Sequence, residues 1–197
     1  MTGMRVFGTI SAGAMALAFG CAGALAQAPA AFTLTSTSFK DGTMMDKKHA
    51  NMNLPGAATP NPNCVGQNVS PQLSWTGAPA GIKSFALTMF DPEGRGGAGV
   101  HHWVAYGIPP DVNGFAEGET SKDGPKFVGG KSTQGVGYYS GPCTPAGSPH
   151  HYTFVIIATD FEPKELAPGL TMPELWAKLP GRGKAAAGLV GLFVKPQ

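Results

Sequence analysis

The chain has 197 residues and five histidines, and four of these stand as adjacent pairs, His101-His102 and His150-His151. Each pair opens an apolar stretch. Successive side chains of a β-strand point to opposite faces, so each pair offers one imidazole to either side. His150 and Tyr152 then share a face, and Asp91 closes the preceding apolar run SFALTMFD. If the three segments lie side by side, an imidazole from each pair, a carboxylate and a phenol converge at one sheet edge. That set suits a phosphate or a carboxylate. Histidine and tyrosine donate hydrogen bonds, and a partly protonated imidazole adds positive charge near neutral pH. Asp91 fits as an orienting group that accepts one imidazole N–H and favours its charged form. A single histidine at a strand end is commonly just a satisfied polar residue; the doubling, with an aromatic residue close behind each pair, is what points to a site.

The elements that must position these groups are mostly strands. Phe32 to Phe39 alternates with Thr and Ser, as a half-buried strand does. Residues 41 to 72 carry Gly, Pro and Asn at short intervals and read as a long irregular loop. Leu73 to Trp75, Ser84 to Phe90 and Val100 to Ile108 read as strands, the last two joined by the Gly-rich turn DPEGRGGAG. His151 to Thr159 is nearly all apolar, the pattern of a central strand covered on both faces. Met172 to Leu179 reads as a helix, with Thr171 as N-cap and Pro173 in the first turn. The Ala-rich Lys184 to Ala187 predicts another turn of helix, and Gly188 to Val194 a closing strand. Strands outnumber helices and do not alternate with them, which argues against a parallel βαβ architecture.

Composition agrees. Glycine (29) and proline (18) are abundant, charged residues make up only 13%, and 42% of the chain is hydrophobic. This is a loop-rich β protein with enough apolar side chains for a core, not a disordered chain. The formal charge of +2 comes without a Lys/Arg run, so a nucleic-acid partner is not expected.

Residues 1–26 read as a cleaved signal peptide. A short basic start precedes the apolar Val6 to Ala24, and Ala24-Leu25-Ala26 supplies an A-x-A cleavage pattern. The alternatives are an uncleaved anchor, or lipidation at Cys21. Cleavage leaves 27–197 as one domain, periplasmic or secreted. Its remaining cysteines, Cys64 and Cys143, lie in Pro/Gly/Asn-rich loops. An oxidising compartment permits a disulfide between them, and two separate buried thiols are the other reading.

The motifs also carry a family resemblance. SFALTMFDPEGRGGAGVHHWVAYGIPP resembles the first signature of the phosphatidylethanolamine-binding protein family, in particular its bacterial YbhB/YbcL-like branch. GYYSGPCTPAGSPHHYTF resembles the second signature, NVSPQLSWTGAPAG the Asn-x-Ser-Pro-x-Leu-x-Trp strand, and GLVGLFV the final strand. The resemblance implies a mainly β fold, with a central antiparallel-rich sheet packed on a smaller one and one or two short helices near the C-terminus. It also implies a ligand pocket. Asp91 matches the acid of the Asp-Pro turn, His102 and His150 the two pocket histidines, Tyr152 the pocket tyrosine and Pro142 a proline at the mouth. His101 and His151 fall outside it. Two positions depart from the pattern: the usual Asp-Pro-Asp-Ala-Pro turn reads Asp91-Pro92-Glu93-Gly94-Arg95, and Val100 replaces a large aromatic. Arg95 is open to two readings, a further anion contact or a solvated loop charge.

The function these readings favour is non-catalytic binding of a small anionic ligand of the phosphate or phosphorylated-headgroup type, with no cofactor. The resemblance adds modulation of a partner such as a kinase or protease, and a homodimer. One rival is an extracytoplasmic zinc or copper protein, with His and carboxylate ligands and a soft stretch Met44-Met45 through His49 to Met52. A hydrolase using His102 or His150 as base is another, without an identifiable nucleophile: no G-x-S-x-G elbow is present, and Gly130-Lys131-Ser132 lacks the Gly and helix of a P-loop.

Overall fold

The computed structural model describes residues 1–3, 30–53 and 60–197. The leader, its cleavage point after Ala26 and Cys21 lie outside the described residues. Among the described residues, nine strands form two sheets: β1 (Thr33–Thr35), β2 (Thr43–Met44), β3 (Leu73–Thr76), β4 (Ser84–Asp91), β5 (Val100–Ile108), β6 (Gly114–Phe115), β7 (Val128–Gly129), β8 (His150–Thr159) and β9 (Gly183–Phe193). The larger sheet runs β2-β9-β8-β4-β5-β7 and the smaller β1-β3-β6. Every pairing is antiparallel except β2 with β9. A mainly β, antiparallel-rich fold with a large and a small sheet is therefore what the chain adopts.

The two sheets enclose the main apolar core, which includes Leu34, Trp75, Phe85, Leu87, Trp103, Phe115, Tyr152 and Phe154. A second, smaller cluster lies on the far face of the large sheet. There Met172 and Leu175 of the helix Met172–Lys178 pack on Ala86, Val104 and Tyr106. Because the helix covers β4 and β5, β4 is buried along both faces, whereas β8 alternates between buried and half-buried positions. The apolar run of β8 makes it a central strand but does not bring full cover to both of its faces. The helix begins as its sequence predicts: Glu174 accepts the N–H of Thr171 at 2.8 Å, completing a capping box.

Three local expectations differ. Lys184 to Ala187 is strand, not helix: Ala185 and Ala186 pair with Ala158 and Ile157 inside β9. Helix propensity is a weak prior, and the ladder offered by β8 overrides it. β1 stops at Thr35, although Phe39 still reaches the core. The segment 41–72 is more ordered than a plain loop, containing β2 and a 3-10 turn, Lys47–His49, capped by the Asp46 side chain.

Candidate functional site

β4 ends, and β5 and β8 begin, at the same end of the large sheet, because both pairings are antiparallel. That is how Asp91, His102, His150 and Tyr152, far apart in the chain, come to line one cleft of about 230 Å³ open to solvent. Cys143, Arg95 and Gln134 complete much of its wall.

His102 owes its position to a bulge. Pairing steps from Met89↔Trp103 to Phe90↔His101, which leaves His102 as the extra residue of β5. Bulges re-aim side chains beside functional sites. Its ring is buried, and Nδ1–H donates to the Ser140 carbonyl at 2.7 Å. Burial outweighs that bond and pulls the His102 pKa down to about 4, so the ring is neutral near pH 7. Nδ1 carries the proton, and Nε2 presents a lone pair 4.0 Å from Asp91 Oδ2. The positive charge expected from partial protonation therefore does not come from this ring.

His150 is less buried. Its Nδ1–H donates to Asp91 Oδ2 at 2.8 Å, which leaves Nε2 for a ligand. The other carboxylate oxygen of Asp91 accepts the N–H groups of Glu93 and Gly94, both at 3.0 Å. One side chain thus shapes the turn and orients an imidazole. Gly94 is required there: a Cβ would come within 2.6 Å of Val100 Cγ2 and 3.1 Å of Asp91 Oδ2. Tyr152 is buried, its hydroxyl bonded to that of Thr144. Desolvation raises its pKa, so the phenol keeps its proton.

Pro142 is not among the residues lining the cleft. It is buried behind the wall, and its carbonyl accepts the N–H of Asn51 at 2.8 Å. Its neighbour Cys143 faces the cleft and is joined to Cys64, with Cα atoms 4.4 Å apart. His101 and His151 point elsewhere. His101 packs on Phe90 and Trp176 across the sheet, and His151 pairs with Glu93 at 2.8 Å on the surface. Arg95 lies on the rim with φ of 54°, a conformation uncommon outside glycine.

Three supporting residues escaped the sequence reading. Thr144 holds the Tyr152 hydroxyl, and Ser140 fixes the His102 tautomer. Asn68 accepts the Gly141 N–H at 2.8 Å and donates to the Tyr139 carbonyl at 3.0 Å, anchoring the loop that supplies Ser140. Asn68 opens the NVSPQLSW motif, so a signal for it was present; Ser140 acts through its backbone and has none.

A donor atom from each of Asp91, Glu93 and His150 lies within 4.8 Å of the others. The soft stretch does not assemble into a comparable set. Met45 is buried in the core and His49 is buried with Nδ1 on the Val69 carbonyl, while Met44 and Met52 are exposed.

The family model described as phosphatidylethanolamine-binding protein matches residues 35–194. The chain belongs to the phosphatidylethanolamine-binding protein family. It is 37% identical to the UPF0098 protein YbcL of Escherichia coli over 138 residues, covering 68% of this chain and 71% of that protein. It is also 34% identical to the "Putative lipoprotein LppC" of Mycobacterium tuberculosis, over 84% of this chain and 75% of that one. The crystal structure of Escherichia coli YbcL superposes with a TM-score of 0.72 at 30% identity, covering 84% of this chain and 99% of that chain. A phosphatidylethanolamine-binding protein homologue of Chlamydia trachomatis, CT736, gives 0.69 at 30% identity. As a bacterial YbhB/YbcL-like member of the family, the chain shares their two-sheet fold.

Proposed function

We propose that this protein binds, without chemical turnover, a small phosphorylated group that still carries a proton, in the cleft formed by Asp91, His102, His150 and Tyr152. The observation that carries this reading is the mixed polarity of that cleft. Arg95 offers a cation and Tyr152 a hydroxyl already bonded to that of Thr144, whereas His102 Nε2 and Asp91 Oδ2 offer lone pairs 4.0 Å apart. A bare anion finds no use for the second pair. A phosphate monoester near neutral pH carries anionic oxygens and, in part, one P–O–H, and matches both. Membership of a family named for phosphatidylethanolamine binding supports a phosphorylated ligand, and the monoester phosphoethanolamine, unlike the diester of the intact lipid, carries the P–O–H this cleft matches. The cleft, at about 230 Å³, fits a headgroup rather than acyl chains.

The test is a comparison of anions. Inorganic phosphate or phosphoethanolamine raises the melting temperature, and His150→Ala abolishes the effect. Sulfate, which has no proton to give His102, binds about tenfold weaker. Equal binding of sulfate and phosphate overturns the reading.

A divalent cation held by Asp91, Glu93 and His150 is the second reading, favoured by the closeness of their donor atoms. It is less economical. Such an ion would share carboxylate oxygens that already accept the His150 and His151 ring N–H groups. Stabilisation by zinc with no response to phosphate would favour it.

We read 27–197 as one exported domain, supported by the apolar leader and by the lipoprotein name of the mycobacterial relative. Sequencing the N-terminus of protein recovered from outside the cytoplasm checks this; a start at Met1 overturns it.

A further inference from the structure

The loop that carries Arg95 touches two clefts. The second, of about 340 Å³, lies across the sheet from the first and is lined by Arg95, His101, Lys131, Ser132 and Thr133, with Thr171 at its edge. Its polar groups are nearly all hydrogen-bond donors. Arg95 and Lys131 form no ion pair among the described residues. The Thr133 hydroxyl oxygen accepts the His101 N–H at 2.9 Å and that of Ser132 accepts the Val136 N–H at 3.2 Å, so each keeps an O–H to give. His101 Nδ1 is buried with no partner, which places the ring hydrogen on Nε2. That N–H meets no acceptor within the protein's described residues. The nearby carboxylate is Glu174, and it is already engaged by the N–H and hydroxyl of Thr171.

We infer that this opposite face of β5 holds a second oxyanion site, in which Arg95, His101, Lys131, Ser132 and Thr133 supply the donors. Arg95 gives a second reason. Its left-handed backbone, between Gly94 and the glycines at 96 and 97, costs an arginine strain that a glycine would not incur. The side chain held there reaches the walls of both clefts. Adjacent residues of β5 thus serve separate ligands: His102 faces the first cleft and His101 the second.

Trp176 supplies the readout. It is 49% exposed and packs on His101 with ring centroids 5.6 Å apart, whereas Trp75 and Trp103 are buried. The experiment titrates the purified full chain with inorganic phosphate in a His150→Ala background, following tryptophan emission. The site predicts a saturable change that is lost in Trp176→Phe and shifted to about tenfold higher phosphate by Lys131→Glu. No saturable change in the His150→Ala protein, or one indifferent to Lys131→Glu, overturns the inference. Because the first cleft is disabled in this background, the outcome does not depend on the function proposed for it.

Discussion

Asp91 Oδ2 accepts the Nδ1–H of His150 at 2.8 Å, joining the end of β4 to the start of β8. This bond decides what His150 can do. With Nδ1–H committed to the carboxylate, a neutral ring shows a ligand only the lone pair of Nε2, and it donates there only after gaining a second proton.

Replacing Asp91 by Asn tests this directly. The amide oxygen still accepts the Glu93 and Gly94 N–H groups, and the amide N–H now donates to Nδ1, so a neutral His150 carries its hydrogen on Nε2. We expect Asp91→Asn to keep phosphate binding at pH 7, because His150 Nε2 then presents an N–H to the oxyanion. Calorimetric titration of both proteins with inorganic phosphate at pH 7 measures it. Asp91→Ala leaves two turn N–H groups without an acceptor and costs about 1–3 kcal/mol in urea unfolding.

Acid weakens the fold through His102. The folded ring has a pKa of about 4 against an ordinary 6.5, so on acidification the unfolded chain takes up the proton first. Stability is complete above pH 6.5 and falls as the pH drops towards 4, by about 3 kcal/mol from this residue. Burial lowers the pKa of His49 and His101 as well, and both act in the same direction. Urea midpoints across this range should fall with acid, and His102→Gln should make the slope shallower.

The Cys64–Cys143 link spans 79 residues and ties the Asn61 segment to the loop bearing Thr144. By loop-closure entropy, its removal costs about 4 kcal/mol. Cys64→Ser with Cys143→Ser, or reductant on the unaltered chain, should lower the urea midpoint accordingly. Phosphate affinity should fall too, because Cys143 and Asn61 both line the cleft.

Gly94→Ala places a methyl group against Val100 and the Asp91 carboxylate. We expect a loss of about 1–3 kcal/mol and weaker phosphate binding. Val100→Ala in the same chain should restore part of both, and the four-member cycle measures the coupling.

Much of this was written locally. Alternation in the strands sends the two histidines of each pair to opposite faces, because a period of two allows nothing else, and the family resemblance singles out His102 and His150; Asp91 at a strand end and the Thr171 cap are equally local. The bulge that singles out His102 was not legible, since it arises from the mismatch of two strands rather than from either one. Nor was the neutrality of His102, which depends on what buries it, or the withdrawal of Pro142 behind the wall. The Ala-rich start of β9 was misread as helix for the same reason: its partner β8 decides its conformation. Residue order determined the chemistry on offer and that neighbours along a strand part to opposite faces. Tertiary packing alone decided which of those groups meet, how deeply they are desolvated and hence where their protons sit.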